Sequence, residues 1–207
     1  MRVLTWLSAA GLLAGQAPAQ SANTPPQLIG TWEALEPRQS GIGATLTFAD
    51  DGSFTITTGV LLNARYTRDG SLEAMIVQVA EPSGKTTDMT VIIVADTLTQ
   101  YVDDSVLRMT RVPGFGPDTG LVGKWRFTRE LRPGTTVTGF SQFTAEGIVR
   151  LRIPLQSQSG TYAVSGDNLT LALPDPGDSA HFTVVGDTLT IAFPGRPADR
   201  YVKSTMT

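Results

Sequence analysis

The sequence predicts an all-β fold, with two small antiparallel up-and-down β-barrels in tandem, from three observations. The first is internal repetition: Leu28-Ile29-Gly30-Thr31-Trp32 returns as Leu121-Val122-Gly123-Lys124-Trp125, and Val94-Ala95-Asp96-Thr97-Leu98-Thr99 returns as Val185-Gly186-Asp187-Thr188-Leu189-Thr190. Between these anchors, Phe48-Ala49-Asp50-Asp51-Gly52 matches Phe143-Thr144-Ala145-Glu146-Gly147. The second is composition along the chain. Short runs of Thr, Val, Ile and aromatic residues are separated by Gly, Pro and Asp, the pattern of half-buried strands and tight turns. The third is the lack of helical periodicity beyond the N-terminal apolar run, which excludes a parallel sheet because parallel strands need crossover connections.

Each element follows in order. Arg2, the apolar stretch Val3 to Leu13 and the small residues Ala17-Pro18-Ala19 form a secretory leader over residues 1–19. Residues 20–27 mix small polar residues with two prolines and read as a flexible tether. The first unit covers residues 28–112, with strands expected at 30–35, 44–49, 53–58, 61–67, 71–79, 87–94, 97–102 and 106–112. Asp50-Asp51-Gly52, Arg68-Asp69-Gly70 and Ala95-Asp96 place turn-forming residues between them. Residues 113–120, Pro113-Gly114-Phe115-Gly116-Pro117-Asp118-Thr119-Gly120, form a linker that sustains neither regular element, with Phe115 as a plug against an interface. The second unit covers residues 121–204, with strands expected at 123–128, 136–143, 148–154, 160–164, 168–173, 180–185, 188–193 and 200–203. In Leu169-Thr170-Leu171-Ala172-Leu173 and Leu189-Thr190-Ile191-Ala192-Phe193 the alternation is clean, one face for the core and one of Thr and Ala. Residues 38–43 fit one short helical turn.

Composition narrows the function classes. The 207 residues contain no cysteine, which excludes disulfides, thiol catalysis, cysteine-ligated metals and a lipoprotein anchor. Formal charge is −3, and one unit more negative without Arg2 of the leader, a balance that argues against nucleic acid as a partner. Arg126, Arg129, Arg132, Arg150 and Arg152 make the second unit locally basic and read as a solvated sheet face. No later segment approaches the roughly 20 apolar residues of a membrane helix, so no membrane span is expected. Export to a periplasm or the medium is the expected location.

Gly30-Thr31-Trp32 and Gly123-Lys124-Trp125, with the hairpin Gly160-Thr161-Tyr162-Ala163-Val164-Ser165-Gly166-Asp167-Asn168-Leu169-Thr170-Leu171, resemble short bacterial secreted lipocalin-like (calycin-like) domains, here duplicated. The resemblance implies that each Trp packs across one barrel end beneath an Arg from the last strand. Arg108 is then the partner of Trp32 and Arg200 the partner of Trp125, four structural residues that close the barrels.

Candidate chemistry is sparse. His181 is the only histidine and cannot assemble a zinc site without converging ligands, so it reads as structural or exposed. Ser179 stands too close to it for a triad, and no Gly-x-Ser-x-Gly elbow occurs. Asp50-Asp51 and Asp103-Asp104 are adjacent pairs whose side chains diverge, unlike the facing carboxylates of a glycosidase. Asp96 with Asp103 and Asp104, or Asp175 with Asp178, lack the dense oxygen ligands of a calcium loop. Phe48 and Phe143 are expected in the cores, and Tyr66 and Tyr162 occupy matching positions in the barrel walls. The expected function is non-catalytic binding of a small apolar ligand or an envelope protein by an exported protein, with no cofactor, metal or catalytic residue. The alternative is a structural or protein-interaction module whose cores are solid.

Overall fold

The computed structural model describes residues 25–36, 41–71, 73–81, 83–117, 119–173 and 178–206. The leader, most of the tether and the centre of the expected turn at 38–43 lie outside them. Fourteen strands make up the fold: β1 (Gly30–Ala34), β2 (Ile42–Phe48), β3 (Ser53–Ser71), β4 (Ala74–Ala80), β5 (Thr86–Val94), β6 (Thr97–Val102), β7 (Ser105–Arg111), β8 (Gly123–Arg132), β9 (Thr135–Phe143), β10 (Ile148–Ser165), β11 (Asn168–Ala172), β12 (Asp178–Val185), β13 (Thr188–Ala192) and β14 (Asp199–Lys203).

All fourteen strands join antiparallel in a single hydrogen-bonded ring, and β3 additionally pairs with β10 across its middle. This corrects the expected pair of tandem lipocalin-like barrels. Neither half of the chain closes on itself, and the ring is not a barrel around one lumen. The error lies at two places where the sequence suggests a break between strands. Residues 53–58 and 61–67 form one continuous strand, β3, and residues 148–154 and 160–164 form one continuous strand, β10. Because neither strand turns back, each carries the chain out of the sheet region where it began.

The ladder between β3 and β10 runs from Ile148↔Arg65 to Thr161↔Ser53. Gly59 lies opposite Pro154, and the spacing that relates Phe48 to Phe143 also relates Gly59 to Pro154. The pseudo-twofold axis of the duplication therefore passes through this pair. Proline has no N–H to donate, and the register shifts between Pro154 and Gln156. A Cβ on Gly59 would collide with the Ile153 carbonyl oxygen and crowd Pro154 Cα, so glycine is what lets the two strands meet. The bulge also resets alternation along β10. Val149 and Leu151 face one core before it, and Tyr162 and Val164 face the other after it.

Two hydrophobic cores result, each built from both halves. One gathers Leu28, Trp32, Leu46, Phe48 and Phe54 from the first half with Tyr162, Leu169, Phe182, Leu189, Ile191 and Tyr201 from the second. The other joins Tyr66, Met75, Val77, Val91, Leu98 and Met109 to Leu121, Trp125, Phe127, Phe143 and Val149. The aromatic contacts show the exchange. Tyr162 meets Phe48 edge-on at 5.1 Å between centroids, and Tyr66 meets Phe143 at 5.3 Å. Each hydroxyl caps the other half's turn, Tyr162 Oη donating to Ala49 O (2.6 Å) and Tyr66 Oη to Thr144 O (2.7 Å). An edge-to-face pair adds about 1 kcal/mol beyond burial, so both contacts help fix the exchanged arrangement.

Candidate functional site

The Gly-x-Trp motifs have a local cause. Gly30 and Gly123 take φ of 125° and 143°, a backbone region closed to residues with a Cβ, and the strand entry they shape brings each indole over the preceding Leu. Trp32 Nε1 donates to Leu28 O (2.8 Å) and Trp125 Nε1 to Leu121 O (2.9 Å), and both rings are fully buried.

The cations beside these rings are not the expected ones. Arg111 lies over Trp125, its guanidinium carbon 4.1 Å from the ring centroid, and Lys203 Nζ lies 5.3 Å from the centroid of Trp32. Arg108 and Arg200 are exposed. The correction is one of strand parity: Arg111 shares a face with buried Met109, whereas Arg108 alternates to the outside. Ownership is also exchanged, because the first half's arginine serves the second half's Trp and the second half's lysine serves the first half's Trp. Arg111 further donates to Pro117 O, Val122 O and Gly120 O, which secures the linker. These four residues close the ends of the cores and bring no reactive groups together.

The larger concave site lies elsewhere. A cavity of about 290 Å³ opens on the outer faces of the sheet where the halves meet, beneath the segment Ser204 to Met206. Its lining contains four pairs of duplicated positions: Thr31 with Lys124, Thr45 with Phe140, Thr57 with Arg152, and Gly59 with Pro154. Strand register supports the equivalence, since Thr45 pairs with Thr57 as Phe140 pairs with Arg152. At all four positions the first half supplies a small residue and the second a bulky or charged one. The asymmetry leaves space on one side of the axis and places recognition groups on the other. Leu61 and Met206 complete much of the apolar wall.

Two cations and one carboxylate border this cavity. Arg152 Nη2 meets Glu33 Oε2 at 2.5 Å, and both side chains are about nine-tenths buried. Arg152 also donates to Asn63 Oδ1 and Leu62 O, while Ser204 Oγ donates to Glu33 Oε1 (2.8 Å). Burial alone would raise the Glu33 pKa, but the Arg152 hydrogen bond and charge, with Ser204, hold it below the ordinary carboxylate value. The expectation of a solvated Arg152 is corrected, because β10 turns it toward β1 of the other half. Its Nε is buried and meets no acceptor among the described residues.

Lys124 is buried and has no carboxylate within ion-pair distance among the described residues. Its ammonium donates to the Met206 carbonyl and lies 4.3 Å from the Phe115 ring centroid and 5.0 Å from that of Phe140. Burial pulls its pKa below the usual lysine value. Phe115 thus covers a lysine rather than plugging an interface. With Glu33 offsetting Arg152, one positive charge is left uncompensated at the cavity.

A second, smaller cavity of about 180 Å³ reaches the core that holds Trp125, between Leu62, Met89, Leu107, Phe127 and Leu151, with Arg129 beside it. His181 is exposed on β12, opposite Asn168 and Ala192. Asp96 lies 3.8 Å from Arg111 Nε, and Asp103 and Asp104 form the turn between β6 and β7. Among the described residues no group of three or more metal-ligating side chains converges, and no helix is long and apolar enough to cross a membrane. The Asp175 and Asp178 pair falls partly outside the described residues. No sequence signal pointed to the cavity at the axis, since its walls come from strands far apart in the chain. Only the substitution of Lys124 for Thr31 within the repeated motif marked it.

The chain matches no family model, and neither the curated proteins nor the solved structures yield a match to it.

Proposed function

We propose that this is an exported, non-catalytic protein that binds a small, largely apolar molecule in the cavity at the pseudo-twofold axis. The observation that carries the reading is the one-sided lining: Thr31, Thr45, Thr57 and Gly59 leave room that Lys124, Phe140, Arg152 and Pro154 border. A volume near 290 Å³ lies at the small end of ligand sites, enough for on the order of ten non-hydrogen atoms at about 30 Å³ each. Apolar walls with a few convergent polar groups are the usual composition of such sites. The leader-like residues 1–19 support export.

Calorimetric titration of the purified protein with 1-octanol tests the reading. Saturable binding is expected, weakened at least tenfold in Thr45→Trp, whose indole would fill the cavity from its small-residue side. Absence of saturable binding, or equal affinity in Thr45→Trp, defeats it.

A further inference from the structure

We propose that the ligand of the axis cavity carries a single carboxylate and that Lys124 is its counter-ion. The inference rests on the binding reading above and specifies the chemical class of the ligand. Its first support is charge. Arg152 and Glu33 are matched at 2.5 Å, whereas Lys124 borders the same cavity with no acid beside it among the described residues. An unmatched ammonium in apolar surroundings is costly, and a ligand carboxylate removes that cost.

The second support is donor capacity. An ammonium has three N–H groups, and the Met206 carbonyl takes one. The Phe115 and Phe140 rings stabilise the cation through their faces but provide no lone pair of carboxylate strength. Arg152 adds a buried Nε–H without an acceptor at the border of the same cavity. The third support is the internal comparison. Lys124 stands where the first half has Thr31, and both line the cavity, so the charge enters through one half alone. One cation in excess and room for about ten non-hydrogen atoms fit a medium-chain monocarboxylate better than a dicarboxylate, a phosphate or a cation.

The test compares octanoate, 1-octanol and octylamine on the same protein at pH 7 by calorimetry. Octanoate is expected to bind at least tenfold more tightly than 1-octanol, and octylamine more weakly than either. In Lys124→Met the advantage of octanoate over octanol should vanish, while octanol affinity stays within about threefold. The comparison among ligands on the unaltered protein stands even where that variant misfolds. A second reading uses reductively ¹³C-methylated lysines, with the Lys124 resonance shifting on addition of octanoate and its titration moving to higher pH. If octanol binds as tightly as octanoate, or Lys124→Met keeps the preference, the carboxylate inference is overturned while the binding reading survives. If neither compound binds, the binding reading itself fails and the inference falls with it.

Discussion

Arg111 shows how much one side chain does at the closed end of a core. It stacks on Trp125 and donates three hydrogen bonds to carbonyls of the linker and of the segment entering β8. Lys203 offers Trp32 an ammonium at a longer distance, so the two ends are chemically similar and unequal in strength. Removing a charged donor from buried carbonyls costs about 2 kcal/mol or more, and loss of the ring contact adds about 1 kcal/mol. Arg111→Met is therefore expected to destabilise the protein by about 3 kcal/mol, whereas exposed Arg108→Ala should stay within about 0.5 kcal/mol. Urea unfolding of the two variants checks this, and equal midpoints would return the structural role to neither arginine. The Gly-x-Trp motif, the buried indoles and the paired Phe48 and Phe143 were legible in the sequence because each depends on neighbours within a few residues. The arginine was not, because its choice rests on which strand face turns inward.

At the scale of elements, β1 and β10 are bound by more than the sheet. Glu33 on β1 and Arg152 on β10 form a buried ion pair between the two halves, reinforced by Ser204 after β14. Truncating one partner of such a pair leaves the other charge buried and costs about 3 kcal/mol, so Glu33→Ala should lower stability by about that amount at neutral pH. The pair also makes stability depend on acid. The folded-state pKa of Glu33 lies below its ordinary 4.5, so its contribution is complete above about 4.5 and is lost as pH falls through the lowered value. Unfolding free energy of the unaltered protein should fall more steeply between about pH 5 and pH 3 than that of Glu33→Gln. Parallel pH curves for the two proteins would show that Glu33 does not carry the linkage.

For the whole molecule, the exchange of strands has a direct consequence. The core around Trp32 needs β10 to β14 of the second half, and the core around Trp125 needs β3 to β7 of the first. Residues 25–112 and 119–206 produced separately each lack the partners for β3 or β10. Each fragment alone is expected to lack a folded monomeric state, and mixing the two should restore a one-to-one complex with buried tryptophans. Light scattering and tryptophan fluorescence read this directly. A fragment that stays monomeric, cooperative and blue-shifted by itself would show that each half encloses its own core. The cavity belongs to this scale as well, since its walls exist only where both halves cross at Gly59 and Pro154.

The sequence by itself determined that the chain is all-β, duplicated, free of cysteine and furnished with two equivalent buried tryptophans. These properties follow from residue type, alternation and turn chemistry, which act over short stretches of chain. The tertiary structure alone decided that β3 and β10 run straight through Gly59 and Pro154 instead of folding back. That choice depends on pairing between residues about 90 positions apart, and a strand's alternation is the same whichever partner it bonds. From it follow the single ring of strands, the exchanged cores, the substitution of Arg111 and Lys203 for Arg108 and Arg200, and the cavity that holds Lys124.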